Sequence, residues 1–297
     1  MQAPVRQAPS LIVNADDFGY FRCVSRGILK AAAEGIVTAT GVLANAAGFV
    51  EQAAWLKDRD DVDAGVHLNL TYGVPLTPEL RHKLGGTSGC FAGKFPMAMK
   101  VLTRAIGVGD VEREWRAQIE RCLDQGLRLR FLNSHEHIHM LPVLFPVAQA
   151  LAEEHGIGHV RFSSLQRPPG ASPGPLLRAA VMKTLEVANR RRLTAPAPRF
   201  LGLESSGRLG EVDLERIVMG LAEGEVAELM CHPGEFDAAE VGDPRLLRYH
   251  DWTGELEALS GSRARDLLDR HGVRLVGYRH LSVEAGRLVS RAAAIPA

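Results

Sequence analysis

Three consecutive β-favouring apolar residues, Leu11-Ile12-Val13, run straight into Asn14-Ala15-Asp16-Asp17 and a glycine turn at Gly19. Such a short apolar run bounded by a turn reads as a fully buried strand. Apolar residues then recur at helical spacing from Val24 to Glu34 and stop at Gly35, a good C-terminal breaker. Thr38 to Leu43 reads as a second strand and about 48–57 as a helix. The alternation Val62, Ala64, Val66, Leu68 predicts a third strand ending near His67. The rhythm breaks over about 72–110, which is rich in glycine and turns around one short apolar helix near 97–105. Helix 111–125, strand 128–133, helix 144–155 and strand 159–162 follow. A second insertion, 163–200, carries Pro168-Pro169, Pro173 and Pro175 before an apolar stripe (Leu177, Ala180, Val181, Leu185, Ala188) closed by Arg190-Arg191-Arg192. Strands near 199–203, 226–230 and 273–277 and helices near 212–223 and 255–270 complete the pattern. Seven or eight strands alternating with helices in one domain over 1–297 predict an α/β fold, an irregular or incomplete parallel (β/α) barrel, rather than an open doubly wound sheet. No G-x-G-x-x-G follows the first strand, which removes the dinucleotide argument for the open sheet.

Composition narrows the partner. The 297 residues are 46% hydrophobic, enough for a well-packed core. Thirty-five Lys and Arg balance 35 Asp and Glu, which argues against nucleic acid held by broad phosphate attraction and favours a small or neutral partner. The leader 1–9 has no apolar core of signal-peptide length and no run approaches a membrane span, so the expected location is the cytoplasm. Cys23, Cys90, Cys122 and Cys231 are scattered without a C-x-x-C pair and are expected to be reduced thiols. The basic run at 190–192 is expected to be a solvated helix end that complements the helix dipole.

The unusual polar residues fall at equivalent places. Asp16 and Asp17 end the first strand and His67 the third. His135 follows the fourth, in Asn133-Ser134-His135-Glu136-His137-Ile138-His139; Arg161 lies in the fifth, and His232 follows the penultimate strand in Met230-Cys231-His232-Pro233. In a parallel barrel those strand ends converge on one face, where barrel enzymes place their chemistry. Two adjacent carboxylates cannot both be buried as anions without a cation or a shared proton. One carboxylate with two histidines is a ligand set for a catalytic divalent ion, and the other carboxylate could take a proton from an activated water. The spacing leaves open which of His135, His137 and His139 would be the ligand: extended backbone puts them on one face and a turn lets them diverge.

Asn14-Ala15-Asp16-Asp17-Phe18-Gly19, Gly65-Val66-His67, Asn133 to Met140 and Met230-Cys231-His232-Pro233, in that order, resemble the motifs of the YdjC-like carbohydrate deacetylases. The resemblance covers residues 11 to about 280. It implies a polysaccharide-deacetylase-like barrel that removes an N-acetyl group from an amino sugar with one divalent ion, magnesium or zinc. By motif position it implies Asp17, His67 and His135 as ligands and Asp16 as general base. It implies His232 as the acid that protonates the leaving amine, and Arg161 as the group that orients Asp16 or the substrate. The expected partner is an N-acetylated amino sugar, oligomeric or lipid-linked, with peripheral membrane contact allowed. Phe18, Tyr20, Tyr72, Trp115 and Trp252 offer candidate sugar-stacking faces or core rings. Two competing readings are a non-haem iron oxygenase on the same 2-His-1-carboxylate set and an inactive deacetylase-like sugar-binding protein. The first leaves Asp16 and His232 without a role, and the second does not explain a complete set of base, ligands and acid.

Overall fold

The computed structural model describes residues 7–85, 89–165 and 173–291. Pro168-Pro169 and the start of the leader lie outside the described residues. Among those described, eight strands form one all-parallel sheet: β1 (Ser10–Phe18), β2 (Ala39–Val42), β3 (Asp63–Leu68), β4 (Leu129–Ser134), β5 (His159–Val160), β6 (Arg199–Leu201), β7 (Val226–Cys231) and β8 (Arg274–Leu275). The path runs β5-β4-β3-β2-β1-β7-β6, with β8 pairing only the start of β1. The ends of this path, β5 and β6, do not pair with each other, so the parallel barrel is incomplete, as the sequence predicts.

The alternation in β1 sets both of its faces. Leu11, Val13 and Ala15 belong to the main core, between the sheet and its helices, whereas Ile12 belongs to a small cluster with Ala39, Phe131, Val276 and Tyr278. Successive strand residues point to opposite faces, so Ile12, Asn14 and Asp16 share the inner face. That face is apolar at its base and polar towards the C-terminal ends of the strands.

A helix of each insertion contacts the segment His135–Met140 that follows β4. In the first, helices Pro78–Leu84 and Lys94–Leu102 send Leu80, Met97 and Val101 into the main core. In the second, helix Pro173–Arg190 puts Met182 against Phe200 and Met230, while its Leu185 also touches the cluster of Met140, Phe145 and Phe162. That helix therefore bridges the two unpaired edges. Arg190 pairs with Glu186 four residues earlier and Arg192 bonds the Ala188 carbonyl, so these arginines serve the end of their own helix.

The structure departs from the sequence pattern in several places, among them helices Pro78–Leu84 and Pro244–Tyr249, which the pattern does not announce. The predicted helix 255–270 is two helices, Trp252–Leu259 and Gly261–Arg270, because the Leu259 carbonyl accepts the Ile36 N–H at 3.0 Å and Gly261 takes φ +76°. The chain also continues past β8 into an antiparallel hairpin, Leu281–Glu284 with Arg287–Ser290, that the pattern does not announce.

Candidate active site

A bulge brings two adjacent carboxylates to one place. Ala15 pairs with Thr40 but Phe18 pairs with Val42, so β1 holds one residue more than β2 across this step, and Asp17 adopts φ +72°. In a regular strand Asp16 and Asp17 would face opposite sides; the extra residue re-aims the second carboxylate. Both are buried.

Asp16 is clamped. Its Oδ1 accepts from Asn14 Nδ2 at 3.0 Å, Asn133 Nδ2 at 2.8 Å and Arg161 Nη2 at 2.9 Å, while Oδ2 accepts from Arg161 Nη1 at 2.6 Å. Burial pushes the Asp16 carboxyl up, but Arg161 and His67 outweigh burial and hold it below the usual carboxylate range. Oδ1 is saturated, so the lone pair left to take a proton is on Oδ2. Arg161 follows β5 and its N–H extends that ladder to Leu132 O at 2.8 Å. On its far side Arg161 Nε donates to the buried Glu228 at 2.5 Å. A guanidinium between two carboxylates keeps its charge and its plane fixed.

Asp17 faces two imidazoles. Its Oδ1 lies 2.9 Å from His135 Nδ1 and 3.2 Å from His67 Nε2. One ligand atom from each of Asp17, His67 and His135 can be chosen so that all lie within 4.8 Å of one another. His67 Nδ1 sits 2.7 Å from Asn133 Oδ1. An imidazole that donates from Nδ1 turns an Nε2 lone pair toward the lone pairs of Asp17, an arrangement that a cation or a proton must fill. The donor set of one carboxylate and two imidazoles fits a divalent metal ion. Burial pushes Asp17 up, and His135 and His67 more than reverse it, holding the carboxyl well below its ordinary range.

The histidine cluster diverges. Residues 135–140 form a 3₁₀ turn in which Glu136 and His137 take φ +53° and +57°. His135 reaches Asp17, whereas His137 Nδ1 contacts Ser163 Oγ at 2.9 Å and its ring packs against Phe200. His139 is held between Ser134 Oγ at 2.5 Å and the Arg161 carbonyl at 2.9 Å. It braces the turn and the segment after β5 that carries Arg161.

His232 follows β7, and its positive form pulls on Asp16. Its backbone N–H donates to Glu255 Oε2 at 2.5 Å, and its Nδ1 faces Glu255 Oε1 at 3.9 Å. Among the described residues neither facing atom has a hydrogen-bond partner, although both are buried. The Glu255 carboxyl is pushed up by burial. His250 and Trp252 stack beside this pair at 4.7 Å, with His250 centred 5.2 Å from His232.

Of the candidate aromatic faces, Phe18, Trp115 and Trp252 are buried in the main core. Tyr20 and Tyr72 pack edge-to-face and stand 5.5 and 6.4 Å from the His135 ring, and Tyr72 is the more exposed of the two. The six residues singled out by sequence thus stand around one site, and Asn133, Glu228 and Glu255, which sequence reasoning assigned no role, support them. Cys231 is buried beside the site with its Sγ 3.5 Å from the Asn14 carbonyl, and burial pushes its thiol up.

The chain is 30% identical to a carbohydrate deacetylase of Geobacillus stearothermophilus over 270 residues, covering 90% of this chain and 96% of that one. It is also 30% identical to a chitooligosaccharide deacetylase of Klebsiella pneumoniae over 275 residues, 91% of this chain and 98% of that one. An Enterococcus faecalis crystal structure, described as a candidate cellobiose-phosphate cleavage protein, superposes with a TM-score of 0.71 at 25% identity, covering 92% of this chain and 98% of its own. The family model for YdjC-like proteins matches residues 10–270, and the chain belongs to that family.

Proposed function

We propose that the protein is a carbohydrate N-deacetylase that hydrolyses the N-acetyl amide of an amino sugar, on an oligosaccharide or a lipid-linked glycan, with one divalent ion held by Asp17, His67 and His135. The observation that carries this reading is the meeting of those three ligand atoms within 4.8 Å beside a second, separately clamped carboxylate, Asp16. The activities named for the Geobacillus and Klebsiella relatives support it.

An amide needs a polarised carbonyl, an activated water and a proton for the departing nitrogen. A bound zinc or magnesium ion supplies the first and eases the second by acidifying water. Asp16 accepts the water proton at Oδ2, and Arg161 keeps it ionised and aimed. His232 delivers a proton to the amide nitrogen as the C–N bond breaks, steadied from behind by Glu255. Protons and bonds balance: water adds OH to the acyl carbon and H to nitrogen, and acetate leaves. Tyr72, exposed beside His135 with its ring centred 6.4 Å away, would offer a face to a sugar ring.

The test is acetate release from free, oligomeric and lipid-linked N-acetylhexosamines by protein stripped with a chelator and reloaded with zinc or magnesium. Release should depend on the ion and be indifferent to O₂, which an iron oxygenase would require. D17A, H67A and H135A should each lose the ion. Asp16→Asn should keep it and lose on the order of 10²–10⁴ in rate, the usual contribution of a positioned base. Full metal in H135A, or metal lost in D16N and kept in D17N, would overturn the assignment.

A further inference from the structure

We infer that Asn133 is a positioning residue whose single amide serves both halves of the site, its oxygen fixing the proton of His67 and its nitrogen anchoring Asp16. This rests on the metal reading above. Asn133 lies on β4 directly beside His67 of β3 in the paired register, and its side chain reaches Asp16 of β1 across the concave inner face.

The polarity of the amide follows from its neighbours. Asp16 Oδ1 already accepts from Arg161 Nη2 at 2.9 Å and from Asn14 Nδ2 at 3.0 Å, so it offers lone pairs, and it is the NH₂ group of Asn133 that faces it at 2.8 Å. The carbonyl oxygen then faces His67 Nδ1 at 2.7 Å, and an oxygen can only accept, so Nδ1 carries the proton. That leaves Nε2 with its lone pair toward Asp17, the form a metal ligand requires. Asn133, His67 and Asp16 are all buried, so solvent does not compete for these bonds.

The neighbouring strand is built to allow it. A Cβ at Gly41 of β2 would come within 2.9 Å of Asn133 Oδ1, closer than real Cβ contacts come, and 3.1 Å of His67 Nδ1, so any larger residue there would push the amide from its place. Asparagine is also the residue of the right length. Aspartate keeps the acceptor and loses the donor, and leucine keeps the approximate shape and loses both.

Those two variants separate the roles. Zn²⁺ affinity is measured by chelator competition, deacetylation at saturating Zn²⁺, and folding by thermal melts. N133L should bind Zn²⁺ about 10–100-fold more weakly, the usual effect of removing the hydrogen-bond partner of a ligating histidine. N133D should bind within about threefold of wild type, since a carboxylate still accepts from Nδ1, yet its kcat should fall by about 10² or more because an acceptor now faces Asp16. In Zn-loaded protein the His67 Nδ1–H should be a slowly exchanging NMR signal in wild type and N133D, and absent in N133L. A residue that merely filled space would weaken both variants alike. Wild-type Zn²⁺ affinity in N133L, or wild-type kcat in N133D, would overturn the role of Asn133 alone. N133D decides the matter even if N133L does not fold, and wild-type protein that takes up no Zn²⁺ would remove the metal reading and this one with it.

Discussion

At the residue scale the site depends on conformations that ordinary residues avoid. Asp17, Glu136 and His137 sit at positive φ, and each such position costs about 1–3 kcal/mol that the surrounding packing must supply. The return is placement: Asp17 turns beside Asp16, and His135 separates from its two neighbours. His232 is where a single substitution speaks most directly to chemistry. His232→Ala should cripple hydrolysis of an N-acetyl sugar, whose amine must be protonated to leave, while sparing an activated aryl acetate whose phenolate leaves unaided. Metal should stay bound, because Asp17, His67 and His135 do not include this residue. Equal loss on amide and ester would make His232 a structural or oxyanion-stabilising group instead. These residue identities were legible in the sequence because carboxylate, imidazole and guanidinium at strand ends are uncommon and chemically specific. The bulge was not, since Asp16-Asp17 carries no local mark of an extra residue in the ladder. Glu255 and Glu228 were also hidden: one sits in a helix that reads as an ordinary amphipathic pattern, the other inside a strand, and only tertiary packing aims them at His232 and Arg161.

At the scale of elements, the apolar insertion divides into two faces. On helix Lys94–Leu102, Met97 and Val101 are buried in the main core, whereas Phe95, Met99 and Leu102 are 79%, 56% and 52% exposed. The spacing i, i+4, i+7 puts the exposed three on one stripe. Lys94 Nζ lies 3.8 Å from Glu136, which ties the helix to the turn that carries His135. Sequence shows one apolar segment here, because residues at either face of a short helix differ by only one or two positions. Met97→Ala should therefore lower stability by about 2–5 kcal/mol, as truncation of a buried side chain does. The triple variant F95S, M99S, L102S should melt close to wild type but raise KM for a lipid-linked or otherwise apolar substrate far more than for a short free sugar. An unchanged KM on both would detach the stripe from substrate, and a collapse in melting temperature would show that it is core after all.

For the whole molecule, the strand count and the parallel arrangement followed from the alternation of strand and helix patterns, but the order β5-β4-β3-β2-β1-β7-β6 did not. Closure or opening of a barrel is decided by which edges meet, and the patterns at 159–162 and 199–203 that mark β5 and β6 say where strands lie, not which neighbours they pair with. The same burial that hides polar groups inside this fold gives it a pH limit. His139 is fully enclosed, and burial pushes its pKa down to about 3; His250 is pushed down to about 3 as well, chiefly by burial. In the unfolded chain a histidine titrates near 6.5. A histidine whose folded pKa is depressed stays neutral in the native state while the unfolded state takes up a proton, so stability is full above about pH 6.5 and falls as pH drops toward 3. His139 alone should then cost about 1.4 kcal/mol per pH unit across that window, or about 2 kcal/mol between pH 6.5 and 5. Asp16 and Asp17, held below their ordinary range, add their own losses only at lower pH, as the carboxylates themselves protonate. His135, raised on balance by Asp17 against its own burial, works in the opposite direction, but its gain is complete by about pH 6.5 and so lies above the window in which His139 and His250 titrate. Urea unfolding of chelator-treated protein at pH 7.5 and 5.0, compared with His139→Gln, isolates the term, because every other titrating group is common to both. Wild type should lose about 2 kcal/mol more than H139Q between the two pH values; equal losses would mean that His139 is charged in the folded protein and that its bonds to Ser134 and the Arg161 carbonyl are not made by a neutral ring.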